Sequence, residues 1–272
     1  MSDSNILITG HEGFIGKSVL NEIKTTLSNK YEEIFLFEKN DIDSDTNWLA
    51  KLESLIKQTD TIVHIGADSS TQNPNFNEVL FYNYYFSKVL FDFVGESEKK
   101  VIYSSSAACY GTDGIPSTIY GWSKYLAEQY GYSNVKNFYG LRYFNVYGPG
   151  ESKKGNMASV ANQAILSGNN FFKLFPGEPK RDFVYISDVV NANIYPILNN
   201  VDRGVYDVGS GEQNTFEKVL EILNINVEYY EENVIPGNYQ FSTLASKEKF
   251  LKGWKPEFDL LKGLKAYKEN FK

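Results

Sequence analysis

Short apolar runs recur along the chain, separated by longer stretches in which apolar residues return at helical spacing. The runs Ile6–Thr9, Ile34–Glu38, Thr61–Ile65, Lys100–Ser104, Lys136–Tyr143 and Gly204–Gly209 predict strands. Between them, Gly16–Ser28 and Asn77–Gly95 carry the spacing of crossover helices. Strands alternating with helices favour a parallel α/β sheet, because a parallel neighbour is reached only through a crossover. The alternation breaks at Gly148-Pro149-Gly150 with the polar stretch Glu151–Asn156, and again at Phe175-Pro176-Gly177-Glu178-Pro179. A smaller lobe is expected to begin there. The chain is expected to return to the sheet through Phe183–Ile186 and Gly204–Gly209, so the two lobes should be interleaved.

Composition narrows the chemistry. The 272 residues are 42% hydrophobic and 22% charged, enough to bury a full core, and the net charge of -7 offers no general attraction to nucleic acid or an anionic membrane surface. A single cysteine, Cys109, excludes an internal disulfide framework, and with only His11 and His64 beside it no metal site is expected. No apolar stretch approaches the length needed to span a bilayer, and Met1 to Asn5 is polar, so a soluble cytoplasmic protein acting on small molecules is expected.

The first strand runs straight into Thr9-Gly10-His11-Glu12-Gly13-Phe14-Ile15-Gly16 and a helix. That order supplies a tight turn, close backbone approach to a pyrophosphate at Gly10, Gly13, Phe14, Ile15 and Gly16, and a helix amino terminus that attracts anions. About twenty residues on, Glu38 closes the second run, where a carboxylate can accept hydrogen bonds from an adenosine ribose and favours NAD. Lys39 beside it could instead meet a 2′-phosphate, so NADP and NAD both stay open. Three glycines alone are a weak pattern; their strand and helix context strengthens it. The fold expected is therefore a Rossmann-type doubly wound parallel sheet with a smaller interleaved lobe. Residues 1–148, with the return segment 183–209, form the dinucleotide-binding domain, and 149–182 with 210–272 the substrate-binding lobe.

The candidate reactive group lies farther along. Tyr103-Ser104-Ser105-Ser106 ends a strand whose carboxyl edge should face the cofactor, and Tyr120-Gly121-Trp122-Ser123-Lys124 follows. On a helix, Tyr120 and Lys124 share a face, and the ammonium is expected to bring the phenol down from roughly 10 toward neutrality. Tyr120 could then take a proton from a sugar hydroxyl while the carbon gives hydride to a nicotinamide, with Ser106 holding the reacting oxygen.

Several stretches carry a wider likeness: Ala67-Asp68-Ser69-Ser70-Thr71, Asn83-Tyr84-Tyr85-Phe86-Ser87-Lys88, Arg142-Tyr143-Phe144-Asn145-Val146-Tyr147-Gly148-Pro149, Lys154-Gly155-Asn156-Met157-Ala158-Ser159 and Lys180-Arg181-Asp182-Phe183-Val184-Tyr185. With them the chain resembles, over nearly its whole length, the extended short-chain dehydrogenase/reductase family of nucleotide-sugar epimerases and dehydratases. The lysine-glycine-x-methionine-alanine-serine stretch points to the branch that inverts carbon 6 of a nucleotide-linked heptose. The resemblance implies a nucleotide-sugar substrate, a homo-oligomer and, at Lys154, a second acid/base for the opposite orientation of the sugar. It also places Ala67, Asn83 and Val146 at the cofactor, and Asn145, Asn156, Phe175, Gly177, Arg181 and Tyr239 at the substrate, where a planar guanidinium suits a diphosphate.

The chain departs from the family pattern in places. The segments after Glu38 and before Tyr120 are short, Gly150 stands for an arginine, Gln163 for a histidine, Asn156 for a serine, and Asp68 for a small residue near the nicotinamide. Ser106 is followed by Ala107-Ala108-Cys109 rather than the acidic pair of a dehydratase, which disfavours that reaction. A 4-epimerase, a nucleotide-heptose dehydrogenase and a non-catalytic dinucleotide sensor are the alternatives; intact Ser106, Tyr120 and Lys124 weigh against the sensor.

Overall fold

The computed structural model describes residues 4–70, 73–112, 114–231 and 240–271. Eleven strands are assigned among them: β1 (Ile6–Thr9), β2 (Ile34–Phe37), β3 (Thr61–His64), β4 (Lys100–Ser106), β5 (Asn137–Tyr143), β6 (Asn145–Tyr147), β7 (Phe171–Leu174), β8 (Lys180–Tyr185), β9 (Gly204–Val208), β10 (Gln213–Thr215) and β11 (Asn226–Tyr229). The α-helices are α1 (Phe14–Thr26), α2 (Lys39–Ser44), α3 (Trp48–Lys57), α4 (Phe76–Leu80), α5 (Phe86–Val94), α6 (Ile119–Asn134), α7 (Val160–Ser167), α8 (Ile186–Leu198), α9 (Phe216–Leu223) and α10 (Leu260–Glu269).

The chain forms two compact units, the first from 1–142 and 190–206, the second from 143–189 and 207–272. The bounds at 142, 190 and 206 stand where 148, 183 and 209 were expected, so 183–189 lie in the second unit. In the first unit a six-stranded sheet has the order β2-β1-β3-β4-β5-β9. β1 pairs in parallel with β2 and β3, with Leu7 opposite Phe35 and Ile62, and β3 pairs in parallel with β4. This is the expected doubly wound sheet. Its strands are apolar on both faces because helices cover both, and Leu7, Phe37, Ile62, Val101, Tyr103 and Phe138 are all buried. β2 ends at Phe37, one residue early, since Glu38 turns out to cap α2; β4 runs two residues farther than expected and carries Ser105 and Ser106.

Phe81–Tyr85 is one π-helical turn between α4 and α5, and it sends Asn83 inward to full burial. Helical periodicity does not report such a shift. α6 starts cleanly because the Thr118 hydroxyl accepts from the Gly121 amide at 3.0 Å.

In the second unit β8 pairs in parallel with β6 and antiparallel with β10, so the sheet order is β10-β8-β6, while β11 and β7 form a separate parallel pair. This corrects one expectation: Phe183–Ile186 does not rejoin the large sheet, and β9 alone does. Tyr147, Phe183, Tyr185 and Tyr267 form the aromatic centre of this unit, with Tyr147 and Tyr185 5.5 Å apart. Among the described residues, no helix is long and apolar enough to cross a membrane, and no group of three or more histidine, cysteine or acidic side chains could hold a metal.

Candidate active site

The turn from β1 into α1 is built on close backbone approach. Gly10 has φ +73°, and a Cβ there would stand 2.4 Å from the Gly66 amide nitrogen; a Cβ on Gly16 would stand 1.9 Å from the Gly10 carbonyl oxygen. Neither position tolerates a side chain. The Gly13 amide donates to the Gly10 carbonyl at 3.2 Å, and α1 begins at Phe14 with Gly13 as its cap and no side-chain cap. No side chain caps this helix amino terminus, whose dipole attracts an anion. A dinucleotide pyrophosphate fits this cradle.

Glu38 stands beside the cradle. Its carboxylate accepts from the Glu12 amide at 2.6 Å, lies 3.2 Å from His11 Nδ1, and completes a capping box with Asp41. Lys39 points elsewhere: its ammonium is 3.2 Å from Glu78 and 4.2 Å from the centre of the Tyr82 ring. The two residues that left the cofactor open in the sequence are therefore differently placed, the acid beside the loop and the cation paired with another carboxylate.

The three serines at the end of β4 divide their labour. Ser104 is buried, and Ser105 is buried with its hydroxyl donating to Glu128 at 2.6 Å. Ser106 accepts from the Ala108 amide at 3.1 Å, and its hydroxyl stands near enough to the Tyr120 phenol to favour the ionised form. Ser106 and Tyr120 are thus together. Desolvation pushes the phenol up to about 12, with Ser106 opposing the rise and Cys109 and Asp68 adding to it. The expectation that Lys124 brings this phenol toward neutrality is corrected. The Lys124 ammonium lies 4.4 Å over the Tyr103 ring, and desolvation lowers it to about 8 despite the opposing fields of Cys109 and Glu128.

Polar contacts behind these residues escaped the sequence reading. Glu128, fully buried one helical turn past Lys124, accepts from Arg142 Nε at 2.8 Å and Nη2 at 2.6 Å, and Arg142 packs 4.4 Å over the Tyr110 ring. The Asn83 side chain holds the Ala67–Asp68 turn, accepting from the Asp68 amide at 2.7 Å and donating to the Asp68 carbonyl at 2.9 Å and the Ser123 hydroxyl at 3.0 Å. The i, i+4 relation of Lys124 to Glu128 was the one available signal, and it does not tell which cation Glu128 meets.

The second unit carries the remaining candidates. Lys154 is partly buried, and desolvation lowers its ammonium against the field of Glu151. Glu151 is itself fully buried, accepting from the Gly148 and Ser159 amides and the Ser159 hydroxyl. Val146 lies in β6 opposite Val184, and Asn145 Oδ1 accepts from Thr243 at 3.3 Å. Asn156 is exposed, with its carbonyl accepting from Gln163. Arg181 is nearly buried 5.7 Å over the Phe216 ring and donates to the Lys180 carbonyl. Phe175 packs against Tyr230 at 5.5 Å, and Gly177 has φ +100° with Phe241 beside it. Tyr239 lies outside the described residues.

A glycine cradle at the end of β1, an acid at the end of β2 and a serine–tyrosine pair after β4 define a dinucleotide-dependent enzyme of the short-chain dehydrogenase/reductase kind. The chain belongs to the NAD dependent epimerase/dehydratase family, which it matches over residues 6–209. The ADP-L-glycero-D-manno-heptose-6-epimerase of Fusobacterium nucleatum is 30% identical, over 98% of this chain and 97% of that protein. The crystal structure of the Helicobacter pylori ADP-L-glycero-D-manno-heptose-6-epimerase superposes with a TM-score of 0.83 at 29% identity, covering 98% of this chain and 96% of that one. A UDP-N-acetylglucosamine 4-epimerase from Methanobrevibacter ruminantium, solved with UDP-N-acetylmuramic acid, gives 0.78 at 25% identity over the whole of both chains.

Proposed function

We propose that this protein is an NAD-dependent isomerase that inverts carbon 6 of a nucleotide-linked heptose. The observation that carries the redox chemistry is the Ser106 hydroxyl set near the Tyr120 phenol at the end of β4 in a protein with the Gly10–Gly16 cradle. The likeness to two heptose 6-epimerases carries the choice of sugar. Gly10, Gly13, Phe14, Ile15 and Gly16 would receive the pyrophosphate, Glu38 the adenosine ribose, and Ala67, Asn83, Lys124 and Val146 the remainder of the dinucleotide. The bound dinucleotide supplies a hydride acceptor and donor at its nicotinamide. Tyr120 removes the hydroxyl proton as the sugar becomes a ketone, Ser106 orients that oxygen, and Lys154 serves as acid/base for the opposite face. With its phenol at about 12, Tyr120 is protonated in the free protein at neutral pH, so accepting a proton requires positive charge gained when the site fills.

Asn145, Asn156, Phe175, Gly177, Arg181 and Tyr239 are assigned to the substrate, 1–148 with 183–209 to the dinucleotide domain, and the remaining residues to the substrate lobe. Glu38 beside the loop, with Lys39 turned to Glu78, favours NAD over NADP. Trp122 and Leu126, exposed at i, i+4 on α6, support association with a second copy of the chain. The chemistry suits the cytoplasm, where nucleotide sugars are at hand.

The test is incubation with ADP-linked and GDP-linked heptoses, following the carbon 6 proton by NMR. Inversion with the ADP sugar is expected, and an unaltered spectrum would reject that substrate. The second reading, a 4-epimerase, rests on the relative from Methanobrevibacter ruminantium; Lys154→Ala should cripple a two-base carbon 6 epimerase and spare a 4-epimerase working through Tyr120.

A further inference from the structure

Lys124 is buried, 2% exposed as a residue, and among the described residues its ammonium forms no ion pair with a carboxylate. The nearest acid on its helix face, Glu128, is taken by Arg142 and Ser105. What it meets is the face of Tyr103, with the nitrogen 4.4 Å from the ring centre. A buried cation with no counter-ion is costly, and an aromatic face offsets part of that cost without neutralising it.

Tyr103 is itself fixed from behind. His64 lies 5.5 Å from its ring, Phe91 meets it edge-on at 5.6 Å, and Phe138 is tilted at 5.9 Å. His64 in turn is held by Thr9 at 2.7 Å and Ser87 at 2.8 Å, on elements that flank the glycine cradle. Because Ser87 donates to the Asn83 carbonyl, it accepts from His64 Nε2, which leaves Nδ1 to accept from Thr9. Desolvation, with Lys124 nearby, holds the imidazole neutral down to about pH 3. A protonated imidazole would put a second cation beside the same ring.

We propose that Tyr103 is a positioning residue whose ring face seats the Lys124 ammonium, keeping it charged and aimed without a carboxylate partner. This deepens the proposed function and rests on it only where Lys124 is taken to hold the dinucleotide. The groups that face Lys124 are Tyr103 on β4, His64 on β3, Cys109 after β4, and Glu128 on α6. A carboxylate in the seat of Tyr103 would pair with the ammonium and spend its charge. The aromatic face leaves that charge available to a ligand.

The test replaces the ring's electrons and keeps its shape, comparing Tyr103→Phe with Tyr103→3,4,5-trifluorophenylalanine in the full chain. Lysines are labelled at Cε, the Lys124 resonance is assigned by its loss in Lys124→Met, and its titration is followed by NMR in the free protein. The fluorinated ring is expected to lower the Lys124 midpoint by about one pH unit relative to phenylalanine. From a start near 8, that cuts the charged fraction at pH 8 about fivefold, so NAD should bind about fivefold more weakly at pH 8 and equally at pH 6. Equal midpoints in the two variants would overturn the proposal. A shifted midpoint with no NAD binding by the unsubstituted protein would leave the seat intact and reject the dinucleotide reading.

Discussion

Removing the charge of Glu128 should loosen the helix that carries Tyr120 and Lys124. The carboxylate is fully buried and accepts four hydrogen bonds of 2.6 to 3.2 Å, two from Arg142 and one each from Ser105 and Gln129, joining α6 to β4 and β5. Glu128→Gln keeps the volume and shape. It turns one acceptor oxygen into a donor facing donors, and leaves the Arg142 guanidinium, only 12% exposed, without its counter-ion. Breaking a buried pair from one side costs about 3–5 kcal/mol. Against a total stability of about 5–15 kcal/mol, that is a large fraction. The apparent Tm should fall on the order of 10 °C, at about 2–4 °C per kcal/mol for a chain of this size. Urea unfolding of the wild type, Glu128→Gln, Arg142→Met and the double variant completes a cycle. The double variant should recover part of the loss, because no buried charge is then left alone. A Glu128→Gln variant within about 0.5 kcal/mol of wild type would refute the buried network as a source of stability, a change no larger than that of an ordinary surface substitution.

Four further outcomes follow from the geometry. Tyr120→Phe should lower kcat by about a hundredfold or more while NAD affinity, read by protein fluorescence, changes little, since only the proton-transferring oxygen is removed. Gly10→Ala should abolish NAD binding in the same assay, because its Cβ would stand 2.4 Å from the Gly66 nitrogen. Burial depresses His64 from 6.5 to about 3, so the unfolded chain takes up that proton first. Its contribution is therefore complete above pH 6.5 and declines as pH falls from 6.5 toward 3, and His64→Gln should flatten that part of a stability profile measured by urea midpoints. Glu38→Ala should narrow the preference for NAD over NADP, seen as converging dissociation constants, because the carboxylate that would repel a 2′-phosphate is gone.

The sequence alone settled what depends on near neighbours. Alternating apolar runs set a parallel α/β sheet, β1 falls where its apolar run lies, and the glycine spacing marks a turn whose Gly10 and Gly16 admit no side chain. The i, i+4 spacing put Tyr120 and Lys124 on one helix, as found. Tertiary structure decided whatever depends on residues far apart in the chain. Nothing in the run of β8 says that its partners are β6 and β10 rather than the large sheet, because strand pairing is settled between chains of backbone groups many residues apart. Likewise the serines of β4 look alike in sequence, and only the arrival of Glu128 from α6, 23 residues on, separates Ser105 from Ser106. Lys124 was expected to act on Tyr120, one turn away. Burial instead placed its charge over Tyr103, because the field at a buried group is set by everything packed around it and by the water it has lost.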